Sequence, residues 1–190
     1  MGPVKAVVMG ASWGGLNAYT QILSSLPANF PAAILLVQHQ HASSENRLPW
    51  LLGRYCSLPM VAPEDKEPIL PGHVYVAPPG YHMLVDQGET IAFSMARPVH
   101  YSRPSVDELF FSAGAVYGNR LAAVILTGAN DDGAAGIEYI HRRGGFTIAQ
   151  SPVSSEAPTM PEAAIKTGAV SKVLDLEQIG PYWAERLQGS

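Results

Sequence analysis

The chain has 190 residues, 47% of them hydrophobic and only 15% charged, with a formal net charge of -4. That size supports one sizeable core, so residues 1–190 read as a single domain, and the shortage of Lys and Arg excludes a nucleic-acid partner. The longest apolar runs, Ala32 to Val37 and Leu121 to Leu126, fall far short of the roughly 20 residues that span a bilayer, so no membrane insertion is expected.

The first element is a short apolar strand at Ala6 to Met9, followed by a glycine-rich turn and by Leu16, Tyr19, Ile22, Leu23 and Leu26 at helical spacing. A second buried strand, Ala33 to Gln38, leads into a helical segment with Leu48, Leu51, Leu52 and Tyr55 on one side, which Pro49 either starts or kinks. The single Cys56 beside that face reads as a small buried apolar residue. It cannot form an internal disulfide, and no signal-like segment opens the sequence, so a reducing, cytoplasmic setting is expected. Alternation around His73 to Ala77 and from Tyr81 to Ser94, with Gln87-Gly88 as a tip, predicts an antiparallel hairpin. Ser105 and Glu108 form a capping-box pattern that opens a helix over Val106 to Tyr117.

Leu121 to Leu126 predicts a fully buried parallel strand, then a loop over Thr127 to Asp132 and a helix that Gly144 terminates. A strand at Phe146 to Gln150, a polar loop from Ser151 to Pro161, a short helix, a strand at Val170 to Leu174 and a terminal helix interrupted at Gly180-Pro181 complete the chain. Alternating β and α elements predict an α/β fold: a doubly wound, mostly parallel sheet with helices on both faces and an antiparallel hairpin. Ligands of such sheets bind at the carboxyl ends of the strands.

Three strand ends carry chemistry there: Ser12 after the first strand, His39 after the second and Asp132 after the Leu121 to Leu126 strand. Gly10-Ala11-Ser12-Trp13-Gly14 fits the G-x-S-x-G elbow, whose small residues let a strand turn sharply into a helix and lift a hydroxyl clear of the backbone. A serine hydroxyl needs an imidazole to take its proton and a carboxylate to hold that imidazole's tautomer, and His39 and Asp132 are the candidates. The order Ser, His, Asp differs from that of α/β-hydrolases. Taken singly, Ser12 also reads as a helix cap, His39 as a loop histidine or, with His41, half of a metal site, and Asp132 as an N-cap with Asp131 the functional acid. Three such coincidences at one sheet edge favour the joint reading. A rival class is a phosphate- or nucleotide-binding protein that uses the first helix N-terminus. A dinucleotide fold would, however, place an acidic residue where the second strand ends in Gln38-His39.

GASWGG at 10–15, VQHQ at 37–40, PGHVYVAPPGYHM at 71–83, RPSVDELF at 103–110 and LTGANDDGAAG at 126–136 together resemble the CheB-type protein-glutamate methylesterases of bacterial chemotaxis. The resemblance covers nearly the whole chain. It implies Ser12 as nucleophile, His39 as general base and Asp132 as its orienting acid, with oxyanion donors from the backbone N–H groups of Trp13 and Ala129. It also implies hydrolysis of glutamyl γ-methyl esters on the cytoplasmic domains of methylated chemoreceptors, deamidation of receptor glutamines in some members, and no metal or organic cofactor. His82 lies in a matching segment and is given a structural role. The sequence departs from the family pattern at Trp13, where threonine is usual, at Ala129-Asn130, where Met-Gly is usual, and at Thr159, where a glycine usually precedes the Met-Pro pair. The phosphoacceptor receiver domain of better-known members is not expected within these residues. A catalytically silent receptor-binding module, its pocket blocked by Trp13, is the remaining alternative.

Overall fold

A computed structural model describes residues 3–188. Nine strands and six helices are found among them: β1 Ala6–Ala11, α1 Gly15–Ser24, β2 Ala33–Gln38, α2 Leu48–Gly53, β3 Met60–Val61, β4 Val74–Val76, β5 His82–Asp86, β6 Thr90–Ser94, α3 Val106–Tyr117, β7 Leu121–Ile125, α4 Ala134–Arg142, β8 Phe146–Gln150, α5 Thr159–Lys166, β9 Lys172–Leu174 and α6 Leu176–Gln188. The main sheet has the order β3-β4-β2-β1-β7-β8-β9 and every pairing in it is parallel; β5 and β6 form a separate antiparallel hairpin.

Side chains of a strand alternate between faces, and here both faces are buried. Val7 and Met9 join Tyr19, Ile22 and Leu23 of α1 and Ile179 and Trp183 of α6 in one apolar layer. Ala6 and Val8 join Leu109 and Phe110 of α3, Ile137 of α4 and Met83 and Ile91 of the hairpin in the other. The buried Tyr19 hydroxyl donates to the Val37 carbonyl at 2.7 Å, tying α1 to β2. Burial pushes that phenol well above its ordinary pKa.

Four sequence expectations change in detail. The His73 to Ala77 segment supplies β4 of the parallel sheet, while the hairpin is confined to β5 and β6, whose register places the predicted Gln87-Gly88 at its tip. The two-residue β3 was not foreseen. Pro181 lies inside α6 without ending it, because Ile179, Trp183 and Leu187 on either side are all buried in one core layer. The capping box is half formed: Ser105 Oγ accepts the Glu108 N–H at 3.4 Å, but the Ser105 N–H donates to the buried His82 Nδ1 at 3.2 Å rather than to Glu108. His82 thereby braces the entry to α3. Cys56 is partly buried against the core, and burial raises its thiol pKa. No helix among the described residues is long and apolar enough to cross a membrane.

Candidate active site

Because β1 lies between β2 and β7, the carboxyl ends of these three strands bring Ser12, His39 and the loop over 127–132 to the middle of one sheet edge. Ser12 donates its N–H to the Thr127 carbonyl at 2.9 Å, and His39 donates its own to Ala11 O at 3.0 Å. The Gln38 amide nitrogen reaches both neighbours, 2.8 Å from Ser12 O and 3.0 Å from His39 O. Thr127 Oγ1 donates to Trp13 O at 2.9 Å and accepts the Ala157 N–H at 2.8 Å, which pins the elbow to the polar loop before α5.

Glycines set how closely these loops approach. Gly14 caps α1 at φ 79°, a left-handed backbone that residues other than glycine rarely adopt; Ser12 stands two residues before that cap and is not itself the cap. A Cβ on Gly128 would lie 1.8 Å from Met160 Sδ and 3.0 Å from Ser12 Cβ, so only glycine lets the β7 loop pass against the elbow.

The acid side is densely bonded. His39 Nε2 lies 2.7 Å from Asp132 Oδ2. Oδ2 also accepts the Val106 N–H at 2.7 Å, and Oδ1 accepts Ser105 Oγ–H at 3.0 Å and the Asp107 N–H at 2.9 Å. The fully buried carboxylate therefore occupies the N-terminus of the twelve-residue α3, where unsatisfied backbone N–H groups and the helix dipole favour an anion. Burial by itself would raise the Asp132 pKa, but the His39 ring and the N–H groups of Asp107 and Val106 outweigh it and hold the carboxyl below its ordinary range. An ionised carboxylate only accepts hydrogen bonds, so the neutral tautomer of His39 that suits it has its proton on Nε2 and its lone pair on Nδ1. The ring is used the opposite way round from the serine-protease arrangement, in which the acid holds Nδ1.

The neighbouring Asp131 is a different kind of acid: exposed, with its Oδ1 3.0 Å from His100 Nδ1. Asp132 is not the cap of α4 either, since Gly133 holds that position. His41 bonds Ser43 Oγ at 2.7 Å rather than sharing a site with His39. His100, Asp107 and Asp132 do cluster, but both Asp132 oxygens are already engaged by His39 and the α3 terminus, which leaves that donor set poorly suited to a cation. Asp107 is the one carboxylate displaced strongly upward, to about 6, by burial and by repulsion from Asp132, against the Gly136 N–H, His100 and the Gly133 N–H.

The Ser12 side is open by contrast. Neither Ser12 Oγ nor the backbone N–H of Trp13 or Ala129 has a hydrogen-bond partner among the described residues. Trp13, next to Ser12, is 66% exposed.

Residues 7–182 match the CheB methylesterase family. The chain belongs to that family. A crystal structure of the CheB methylesterase catalytic domain from Thermotoga maritima superposes with a TM-score of 0.91 at 32% identity, covering 96% of this chain and 98% of that one. A Leptospira interrogans protein named for protein-glutamate methylesterase and protein-glutamine glutaminase is 44% identical over 92% of this chain and 91% of its own length. The protein-glutamate methylesterase/protein-glutamine glutaminase of Salmonella typhimurium is 38% identical over 92% of this chain, which spans 51% of that longer relative.

Within this CheB-type framework, sequence reasoning singled out the residues at the strand ends but not the groups that hold them. Gln38 was passed over although it adjoins His39, and Ser105 was seen only as a helix cap. That the α3 terminus receives a carboxylate from 26 residues further on has no local signature.

Proposed function

We propose that this chain is a serine esterase that hydrolyses glutamyl γ-methyl esters on methylated chemoreceptor cytoplasmic domains, and that it deamidates receptor glutamines by the same chemistry. The observation that carries the reading is the 2.7 Å bond from His39 to a buried, helix-cradled Asp132 at the sheet edge where the Ser12 elbow stands. Membership of the CheB family and the names of the relatives supply the substrate class.

In this mechanism Ser12 Oγ attacks the ester carbonyl carbon while its proton passes to His39 Nδ1. The tetrahedral oxyanion accepts the N–H groups of Trp13 and Ala129, which have no protein acceptor to give up. Collapse expels methanol, protonated from Nδ1, and leaves the glutamyl group esterified to Ser12. Water then gives its proton to the same nitrogen, attacks the acyl-enzyme and releases the carboxylate with Ser12 restored. With a glutamine the first leaving group is ammonia. Asp132 stays ionised throughout and stabilises the imidazolium formed in each half.

The test is release of labelled methanol from methylated receptor fragments by the native chain and by Ser12→Ala, His39→Ala and Asp132→Asn. Release that is abolished in Ser12→Ala and strongly reduced in the other two is expected. Undiminished release from Ser12→Ala would rule the nucleophile out.

A further inference from the structure

Among the described residues, Asn130 is the one side chain within hydrogen-bond distance of both the base and the backbone N–H of the acid. Its Oδ1 accepts the Asp132 N–H at 3.2 Å, a side-chain bond to the backbone two residues on that makes an Asx turn of the loop. Its Nδ2 faces His39 Nδ1 at 3.4 Å. Donors and acceptors fix both ends of this bridge. The backbone N–H of Asp132 can meet only the amide oxygen, and the bare Nδ1 lone pair, left so by the Nε2–H bond to Asp132, can meet only the amide nitrogen.

Nδ1 is also the atom that must receive the Ser12 proton, and Ser12 Oγ does not bond to it in this structure. Two donors, an amide and a hydroxyl, thus compete for one lone pair. We infer that Asn130 is a positioning residue that occupies the His39 Nδ1 lone pair and must yield it to Ser12, so that the side chain at position 130 sets how readily the nucleophile is activated. This rests on the esterase reading above and deepens it. The Asn130 bond is long, and exchanging it is worth at most one neutral hydrogen bond, about two- to tenfold in rate.

The variant that separates the two contacts is Asn130→Ser, whose short hydroxyl retains the turn by accepting the Asp132 N–H but cannot reach the imidazole. The first readout is the rate at which a fluorophosphonate probe labels the full chain: Ser12 Oγ bonds to phosphorus, fluoride leaves, and the hydroxyl proton goes to Nδ1. Asn130→Ser is expected to label about two- to tenfold faster than the native chain. Labelling at or below the native rate overturns the inference. The second readout is the imidazole nitrogen NMR spectrum of His39, which needs no turnover. The Nδ1 resonance is expected to move toward that of a bare nitrogen in Asn130→Ser and to stay in place in Ser12→Ala, and the opposite pattern overturns the inference. Should Asn130→Ser fail to fold, the Ser12→Ala spectrum decides by itself: an unmoved Nδ1 supports Asn130 as its partner and a displaced one removes it. A native chain that folds yet takes no probe counts against the esterase reading, while the spectra still judge Asn130.

Discussion

The two halves of the site are built on opposite principles. Around Asp132 every lone pair has a donor: four hydrogen bonds and a helix N-terminus converge on a carboxylate that is fully buried. Around Ser12 the hydroxyl and the N–H groups of Trp13 and Ala129 have no partner among the described residues, and the adjoining Trp13 is exposed. The acid half is finished by the fold itself, with its cost of burial offset by charge-assisted bonds. The nucleophile half has its valences open toward whatever enters. A site of this kind holds its electrostatics fixed before reaction and leaves the bond-forming groups unencumbered, which is the preorganisation expected where charge develops on the substrate side.

The widest separation between the halves is expected from paired substitutions. Ser12→Ala removes the nucleophile, so methanol release falls by about 10⁴-fold or more, and because its hydroxyl has no internal bond the unfolding free energy stays within about 0.5 kcal/mol of native. Asp132→Asn also lowers kcat by about 10³- to 10⁴-fold, but it replaces an anion at the α3 terminus and is expected to lose on the order of 2 kcal/mol of stability in urea unfolding. Equal stability losses in the two variants would erase the distinction.

A smaller effect, of opposite sign in pH, comes from the two adjacent carboxyls. Asp132 has its pKa lowered by folding, so its stabilising contribution is present above the unfolded carboxyl range and is lost as pH falls through its folded value. Asp107 is raised from 3.8 to about 6, so it binds its proton more tightly in the fold. Stability is therefore eroded as pH rises between about 4 and 6, and the full penalty is present above that window. A displacement of that size corresponds to on the order of 3 kcal/mol at most. Asp107→Asn retains an oxygen for the Gly136 N–H, a 2.7 Å bond in the native chain. Urea unfolding should find it more stable than native at pH 7.5, by about 1–3 kcal/mol, with the advantage gone at pH 4. An advantage that persists at pH 4 would point to packing rather than charge.

How much of this was legible in the sequence divides along the same line. The parallel sheet, the hairpin tip and the placement of Ser12, His39 and Asp132 at adjacent strand ends follow from patterns local to each segment. β3, two residues long, is too short to show a period, and the alternation at β4 marks a strand without saying that it pairs in the parallel sheet. The burial around Pro181 that carries α6 through it depends on how α6 packs against the sheet. The cradle under Asp132 joins Ser105 and the start of α3 to a loop 26 residues away, and a chain read segment by segment offers no sign of it. Ser105 illustrates the difference: its capping role was visible, while its bond to Asp132 and the His82 brace behind it belong to tertiary structure alone.

The smallest effect expected falls on Trp13, and it sharpens the contrast because it separates recognition from chemistry. An indole that is 66% exposed contributes little to the fold, so Trp13→Ala should change stability by less than about 0.5 kcal/mol. The Trp13 backbone N–H, the proposed oxyanion donor, is retained in the alanine variant, so kcat should remain within about twofold, less than the worth of one hydrogen bond. What is lost is exposed aromatic area one residue from the nucleophile, within reach of a protein substrate that covers this surface but beyond the extent of a small ester. KM for a methylated receptor fragment should therefore rise by about three- to tenfold, the effect of losing a partly buried aromatic contact, with turnover of a small acetyl ester unchanged. If both substrates lose kcat equally, Trp13 shapes the elbow itself; if both gain, the indole obstructs an entrance that the native chain keeps narrow.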